Sequence, residues 1–332
     1  NNNKGFYPLN TSTNLVNGKS IEEASSLMRL GVSSGKAYIK GYEVIKKDTT
    51  YLDAINDNDR IIFDSRGTGN HHTLNVGANL TIADTIDAGD GTDTITTGTG
   101  YGDTVFTNVS NVEVLTLTAG VTSTLGLKAQ AAGIRTINGV AGTADVVDAS
   151  AYTTGNLTIN GNGGNDTLKS GAGADTINGG SGDDSIESGA GADLVVSGAG
   201  TDNIKLGAGN DVARFSGSQL DATDVIDGGA DTDTVELANA AFAPITANVN
   251  LTNVTNVENF KLTGSGDDGD ALTNDVDANS VTFSGGTAGT ITSVNVNASA
   301  LTDAKDSFKV TLAAGTNANY QFNITGSSTS DT

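Results

Sequence analysis

Six aspartates stand nine residues apart, at Asp166, Asp175, Asp184, Asp193, Asp202 and Asp211. Carboxylates at a fixed period suit a hard cation, because calcium gathers about six to eight oxygens from carboxylates, main-chain carbonyls and water. What surrounds each Asp repeats as well. From Gly161 the chain reads GNGGNDTLK, SGAGADTIN, GGSGDDSIE, SGAGADLVV, SGAGTDNIK and LGAGNDVAR, six nonapeptides in register through Arg214. Their glycines are Gly161 and Gly163, Gly171 and Gly173, Gly180 and Gly182, Gly189 and Gly191, Gly198 and Gly200, and Gly207 and Gly209. With the six Asp they form the candidate metal-binding set, supplying turns that a Cβ would resist. The eighth positions are Leu168, Ile177, Ile186, Val195, Ile204 and Ala213, so the unit is G-G-x-G-x-D-x-U-x, a calcium-binding β-helix repeat.

The spacing dictates the elements that must position these groups. A short strand around each eighth position points one aliphatic side chain inward and the Gly-rich half turns the chain, so one repeat is a strand plus a turn and two make a coil. Turns of the same parity then stack about 4.8 Å apart. Asp166, Asp184 and Asp202 fall in one column and Asp175, Asp193 and Asp211 in the other, with calcium expected between successive members, about four interior sites in all. Without metal, residues 161–214 carry seven Asp and one Glu against Lys169, Lys205 and Arg214, a net charge of −5. Inward aliphatics worth about 1.5 to 3 kcal/mol each fall short of a backbone ordering cost of about 1 to 2 kcal/mol per residue. Calcium binding is therefore expected to decide whether this segment folds. A flexible Gly/Ser/Asp linker is the plainer alternative, but it has no reason to hold Asp and aliphatic residues in phase.

Residues 161–214 resemble the calcium β-roll of the repeats-in-toxin (RTX) family. The resemblance implies a right-handed parallel β-roll with calcium held in its turns. Departures are Asn162 at a second position, Ser170, Ser188, Ser197 and Leu206 at first positions, and Ala213 at the last core position. They imply weaker calcium binding at the two ends of the roll.

A longer duplication flanks the tandem block. DTIDAGDGTDTIT from Asp84 recurs as DVIDGGADTDTVE from Asp224, FTNVSNVEVLTLTAG from Phe106 as LTNVTNVENFKLTG from Leu251, and VDASA from Val147 as VNASA from Val296. Each copy contains a degenerate nonapeptide, with Asp93 and Asp233 at the ligand position and Ile95 and Val235 at the core position, so Asp93 and Asp233 join the candidate calcium ligands. Glu113 and Glu258 recur in the strand-like N-V-E phrase. They are read as capping or solvating a strand edge, with calcium ligation or an interface as the alternative. Such strands interleaved with the repeats resemble bacterial surface-layer proteins and large RTX adhesins.

The wider chain sets the class. It has 332 residues with 39 acidic and 17 basic side chains, a net charge of −22, which excludes a nucleic-acid binder driven by phosphate neutralisation. Cys and Trp are absent, which excludes disulfides and thiolate metal sites and leaves little for sugar rings to stack upon. No apolar run is long enough for a membrane span, and the start at Asn1 reads as a processed or truncated end. SIEEASSLMRL from Ser20 predicts a short helix, Ser20 and Glu23 standing in capping-box spacing. A strand follows from Lys36, in the one basic stretch of the chain (Lys36, Lys40, Lys46, Lys47, Arg60), read equally as a dock for an acidic partner, such as an anionic surface polysaccharide or a neighbouring copy's calcium-rich face, or as a soluble strand edge. GKAYIKGYEV also resembles repetitive strands of phage appendages. Neither H-E-x-x-H nor G-x-S-x-G occurs, so no catalytic residues are expected. His71 and His72 read as a polar loop, and Asp267, Asp268 and Asp270 as a further acid cluster, a calcium loop with a solvated turn as the alternative.

The expectation is an all-β chain divided into an N-terminal helix and strand segment (1–65), a β module with a degenerate repeat (66–155), the calcium β-roll (156–219) and a second β module (220–332). It is expected to be an extracellular or cell-surface structural protein with calcium as its cofactor. Such a chain would self-associate into a lattice or coat, without nucleic-acid partners. An adhesin or a virion appendage is the alternative.

Overall fold

The structure, a computed structural model, describes residues 71–78, 80–216, 219–238, 246–263, 278–284, 293–297, 307–312 and 321–326. Ahead of these it describes the short strands Leu15–Val16, Lys19–Ser20, Glu43–Ile45, Thr49–Tyr51 and Arg60–Phe63. The chain is nearly all β and winds as a parallel solenoid.

One face is a single sheet of thirteen strands. In chain order these are Thr49–Tyr51, His72–Asn75, Thr94–Thr97, Val114–Leu117, Thr136–Asn138, Thr158–Asn160, Thr176–Ser181, Leu194–Ala199, Val212–Ser216, Thr234–Ala238, Asn259–Thr263, Ser293–Asn297 and Gln321–Thr325. Each pairs in parallel with the one before it, and the strand between them in sequence lies on the opposite face. That second face is built from three sheets. Four strands run from Glu43–Ile45 to Val109–Ser110, seven from Thr122–Thr124 to Val254–Thr255, and three from Thr246–Asn250 to Ser307–Leu312. The thirteen-stranded sheet continues through residues 155–156 and 219–220, where the repeats change character, so the flanking β-rich modules are further coils of the same roll.

The core follows the period of the repeat. Leu168, Ile177, Ile186, Val195, Ile204 and Ala213 all have 0 % exposure and stack in two inward columns. In the flanking coils the same interior positions are joined by aromatics. Tyr101 and Phe106 meet edge to face at 6.3 Å between ring centroids, and Phe260 and Phe283 at 5.1 Å. The inward residues at the eighth positions of the nonapeptide coils are aliphatic only.

Coil length varies while the cross-section is kept. Equivalent residues are 18 apart within the nonapeptides, as from Asp184 to Asp202, but 22 apart from Asp202 to Asp224 and 25 apart from Asp233 to Glu258. The extra residues go into turns. One such turn holds the short helix Leu127–Ala132, whose entry is fixed by the Asp103 carboxylate accepting from the N–H of Gly126, Lys128 and Ala129 at 2.8–3.0 Å. Gly133, at φ +106°, ends it. This helix carried no clear sequence signal. Of the helix expected from Ser20, Lys19–Ser20 is a strand paired with Leu15–Val16, and residues 21–30 lie outside the described residues.

Candidate metal centre

Two turns per coil create two edges along the roll, and each edge carries a column of buried aspartates. On the edge leading from the thirteen-stranded face to the second face stand Asp145, Asp166, Asp184, Asp202 and Asp224, all at most 2 % exposed. Each carboxylate accepts the backbone N–H of its counterpart one coil earlier. Oδ1 of Asp166 takes the N–H of Asp145 at 2.7 Å, Asp184 that of Asp166 at 2.8 Å, Asp202 that of Asp184 at 2.9 Å and Asp224 that of Asp202 at 2.9 Å. The opposite edge repeats the device. Oδ1 of Asp175 accepts from Leu157, Asp193 from Asp175, Asp211 from Asp193 and Asp233 from Asp211, at 2.7–3.0 Å. The two expected columns are thus physically continuous hydrogen-bond ladders.

A ladder of this kind uses one oxygen per carboxylate. The other, Oδ2, is buried without a hydrogen-bond partner in Asp93, Asp166, Asp175, Asp184, Asp193, Asp211 and Asp233. An orphaned buried carboxylate oxygen is costly unless a cation completes it. The glycines explain the room beside it. A Cβ on Gly161 would meet Asp166 Oδ2 and the Gly179 carbonyl, one on Gly179 would meet Asp184 Oδ2 and the Ser197 carbonyl, and one on Gly228 would meet Asp233 Oδ2 and the Asn256 carbonyl. Space kept free by a missing Cβ and lined by carboxylate and carbonyl oxygen suits a hard cation. Among the described residues no three Asp, Glu, His or Cys side chains converge, so the main-chain carbonyls are needed to complete any such cage. The donor set fits calcium, which would be held by the Asp carboxylates and these carbonyls and would neutralise the columns.

The electrostatics agree. Burial, joined by repulsion from neighbouring Asp, pushes the carboxyls of Asp184 and Asp193 up to about 7 against the hydrogen bonds that oppose it. Asp233 is likewise raised to about 7 and Asp224 to about 6, burial leading in both. Asp93, Asp166, Asp202 and Asp211 are raised in the same direction, chiefly by burial.

The ends of the columns differ from their middles. Asp145 accepts the Val121 N–H at Oδ1 and the Val140 N–H at Oδ2, and Asp224 accepts the Asp221 N–H at Oδ2, so both carboxylates are fully occupied by protein. On the other edge a glutamate follows. Glu258 accepts the Asp233 N–H and Glu113 the Asp93 N–H, each at 2.8 Å. The glutamates therefore act as backbone caps joining coils. The duplication extends to further bonds: Asn111 donates to Asp87 and Asn256 to Asp227, each at 2.7 Å, with Asn111 and Asn256 both in left-handed conformation at φ 56° and 54°.

Several residues stand differently from the sequence reading. In the first repeat the left-handed turn positions are Asn162 at φ 70° and Gly164 at φ 123°, whereas Gly163 does not take positive φ. Asn replaces Gly at Asn162 at little conformational cost. Asp84, Asp145 and Asp224, buried members of the same edge, escaped the glycine pattern. The shorter signal D-x-U, as in Asp84-Thr-Ile86, Asp145-Val-Val147 and Asp224-Val-Ile226, would have found them. The expected polar loop at the histidines is corrected: His72 opens a strand, is 1 % exposed and places Nδ1 2.9 Å from Asp93 Oδ1, while His71 is exposed. Asp267, Asp268 and Asp270, Lys36, Lys40, Lys46 and Lys47 lie outside the described residues.

The family model for the RTX calcium-binding nonapeptide repeat (4 copies) matches residues 83–103, 153–186, 160–195, 178–213 and 221–238. These segments include both tandem columns and the Asp93 and Asp233 turns. No curated protein and no solved structure matches the chain. With repeat, ladder and cradle in agreement, the chain is an RTX-type calcium-binding β-roll protein.

Proposed function

We propose that this protein is an extracellular structural element that calcium makes rigid and that packs with copies of itself into a surface layer or coat. RTX repeat proteins are typically secreted or extracellular, and their β-rolls are typically structural. The observation that carries the reading is the run of orphaned, buried carboxylate oxygens. In a low-calcium compartment they repel one another and oppose the closed coil, which keeps the chain pliable for export. Millimolar external calcium then closes it, in the affinity range of about 10⁻⁴ to 10⁻³ M common for extracellular modules. A long, stiff rod is a suitable unit for a coat, and a basic N-terminal stretch could seat on an anionic surface polysaccharide or on an acidic neighbour. Electron microscopy of the chain dialysed from chelator into millimolar calcium tests this. Ordered sheets or fibres formed with calcium alone support the coat; folded, dispersed monomers would overturn it.

An adhesin or virion appendage is the second reading. It is favoured by the run of uncharged Thr and Asn side chains on the outward side of the six strands from His72–Asn75 to Thr176–Ser181, in a chain of net charge −22, since a surface kept free of charge suits contact. Binding of the dispersed chain to cells, without lattice formation, would support it.

A further inference from the structure

The thirteen-stranded face presents outward a lattice that the calcium ladders do not use. Over the six consecutive strands from His72–Asn75 to Thr176–Ser181, the outward pairs read T-x-N, T-x-T, V-x-T, T-x-N, T-x-N and T-x-N. The strands are in register, so Thr136, Thr158 and Thr176 form one row and Asn138, Asn160 and Asn178 the next. Rows repeat about 4.8 Å from strand to strand, and the two members of a pair are about 6.6 Å apart along a strand. Eleven of these twelve residues are Thr or Asn and none is charged, in a chain of net charge −22. The patch has an edge. In the next strands the same rows turn to Leu194 and Val196, then to Arg214, Glu236 and Lys261, which are ion-paired.

The lattice is held in place by its own bonds. The Asn160 side-chain amide donates to Asn138 Oδ1 at 2.8 Å and that of Asn178 to Asn160 Oδ1 at 2.6 Å, so the amides are locked as a ladder with one further N–H each to offer. The hydroxyls of Thr94, Thr136, Thr158 and Thr176 have no hydrogen-bond partner among the described residues. The row through Thr94, Thr136, Thr158 and Thr176, interrupted at Val114, therefore offers methyl groups and free hydroxyls, and the row beside it offers amide N–H groups. A neutral, preorganised array of this kind gains little from a charged or flexible polymer, but it loses almost no entropy on meeting a solid with the same repeat. Ice is such a solid: it is uncharged, its surface oxygens recur on intervals close to both of these, and each oxygen donates and accepts as a hydroxyl does. The geometry points to this face as an ice-binding surface.

Partition of the calcium-loaded full chain into slowly grown polycrystalline ice, with recrystallisation inhibition as a second readout, tests the assignment. Both readouts use dispersed chains and so are independent of coat formation. Wild type should enrich in the ice. The Thr136→Lys/Thr158→Lys double variant should lose at least tenfold of that enrichment, while Ser185→Lys on the second face keeps it, with circular dichroism and calcium stoichiometry checking the fold. Should the double variant fail to fold, Thr158→Ser, which keeps the hydroxyl and removes the methyl, should weaken recrystallisation inhibition several-fold. Exclusion of wild type from ice overturns the inference. So do full enrichment of the folded double variant, an unchanged Thr158→Ser, or adsorption to crystalline cellulose in place of ice.

Discussion

Each nonapeptide coil turns twice, and the two edges treat the place beside the carboxylate differently. On one edge the first two repeats open with Gly161 and Gly179, whose missing Cβ leaves room against Asp166 and Asp184, and the third with Ser197. On the other the first two open with Ser170 and Ser188, whose hydroxyls donate to the Ser188 and Leu206 carbonyls at 2.5 and 2.7 Å, and the third with Leu206. The Asp ladder is common to both edges. The comparison separates two jobs that the consensus merges: one Asp oxygen sets the coil spacing, and the residue at the first position decides what can lie beside the second oxygen.

Chelating calcium from the full chain should have the largest effect. A single site held at 100 times its Kd stabilises the fold by about 2.7 kcal/mol, and both edges would lose their sites together. Hydrogen exchange should accelerate across residues 161–213. Strands Val114–Leu117 and Asn259–Thr263, whose coils bury Phe106, Phe260 and Phe283, should keep more of their protection. Equal loss everywhere would show that the coils fold as one unit.

The next largest effect should come from Asp184→Ala. It leaves the Asp166 N–H buried and unbonded, about 1 to 3 kcal/mol, and removes a candidate calcium ligand, so thermal stability and calorimetric calcium stoichiometry should both fall. Asp184→Asn keeps an acceptor for that N–H and should lose calcium with a smaller loss of metal-free stability. Between the edges, Gly179→Ser should weaken calcium binding about tenfold, equivalent to about 1.4 kcal/mol, while Ser188→Gly should leave it unchanged or strengthen it. Equal responses would mean that the first position does not distinguish the edges.

Acidity should act on the metal-free roll in a direction opposite to ordinary acid denaturation. Asp184, Asp193 and Asp233 are raised to about 7 and Asp224 to about 6, above an unfolded value of about 3.9. Groups raised on folding contribute stability that is full below the unfolded value and is lost as pH rises through the folded values. In chelator, therefore, β content should be higher near pH 5 than near pH 8. Calcium affinity should run the other way, since binding needs the ionised form. Circular dichroism and calcium titrations across this range would check both signs.

The smallest effect should be that of Glu258→Gln. The amide oxygen can still accept the Asp233 N–H, so the melting temperature should barely move and calcium stoichiometry should be unchanged. A lost calcium site would make Glu258 a ligand in addition to a cap.

Much of this was legible in the chain because the period is short and strict. Asp166 to Asp211 fixed both columns, and Leu168 to Ala213 the inward rows, since in a β-coil a constant interval is enough to place residues on a common line. The flanking coils were harder. Their turns are lengthened by insertions, so Asp145 and Asp224 lose their phase in sequence while keeping it in space, and only the D-x-U triplet survives. His72 was misjudged because polarity was weighed without the Asp93 carboxylate that accompanies it into the interior. The helix Leu127–Ala132 depends on Asp103, a whole coil away, to cap it, which a local reading could not supply.

The Asp ladder has one more consequence. Every rung refers only to the coil before it, so nothing in the middle of the structure registers how many coils there are. A chain governed by such a neighbour-to-neighbour rule behaves as a one-dimensional lattice, in which length is a free variable and only the termini are special. Removing residues 179–196, one whole 18-residue coil, would bring Asp202 under the N–H of Asp166 with the same contact it now makes to Asp184. The reach of the rod can therefore be reset by whole coils without redesigning any of the contacts within them.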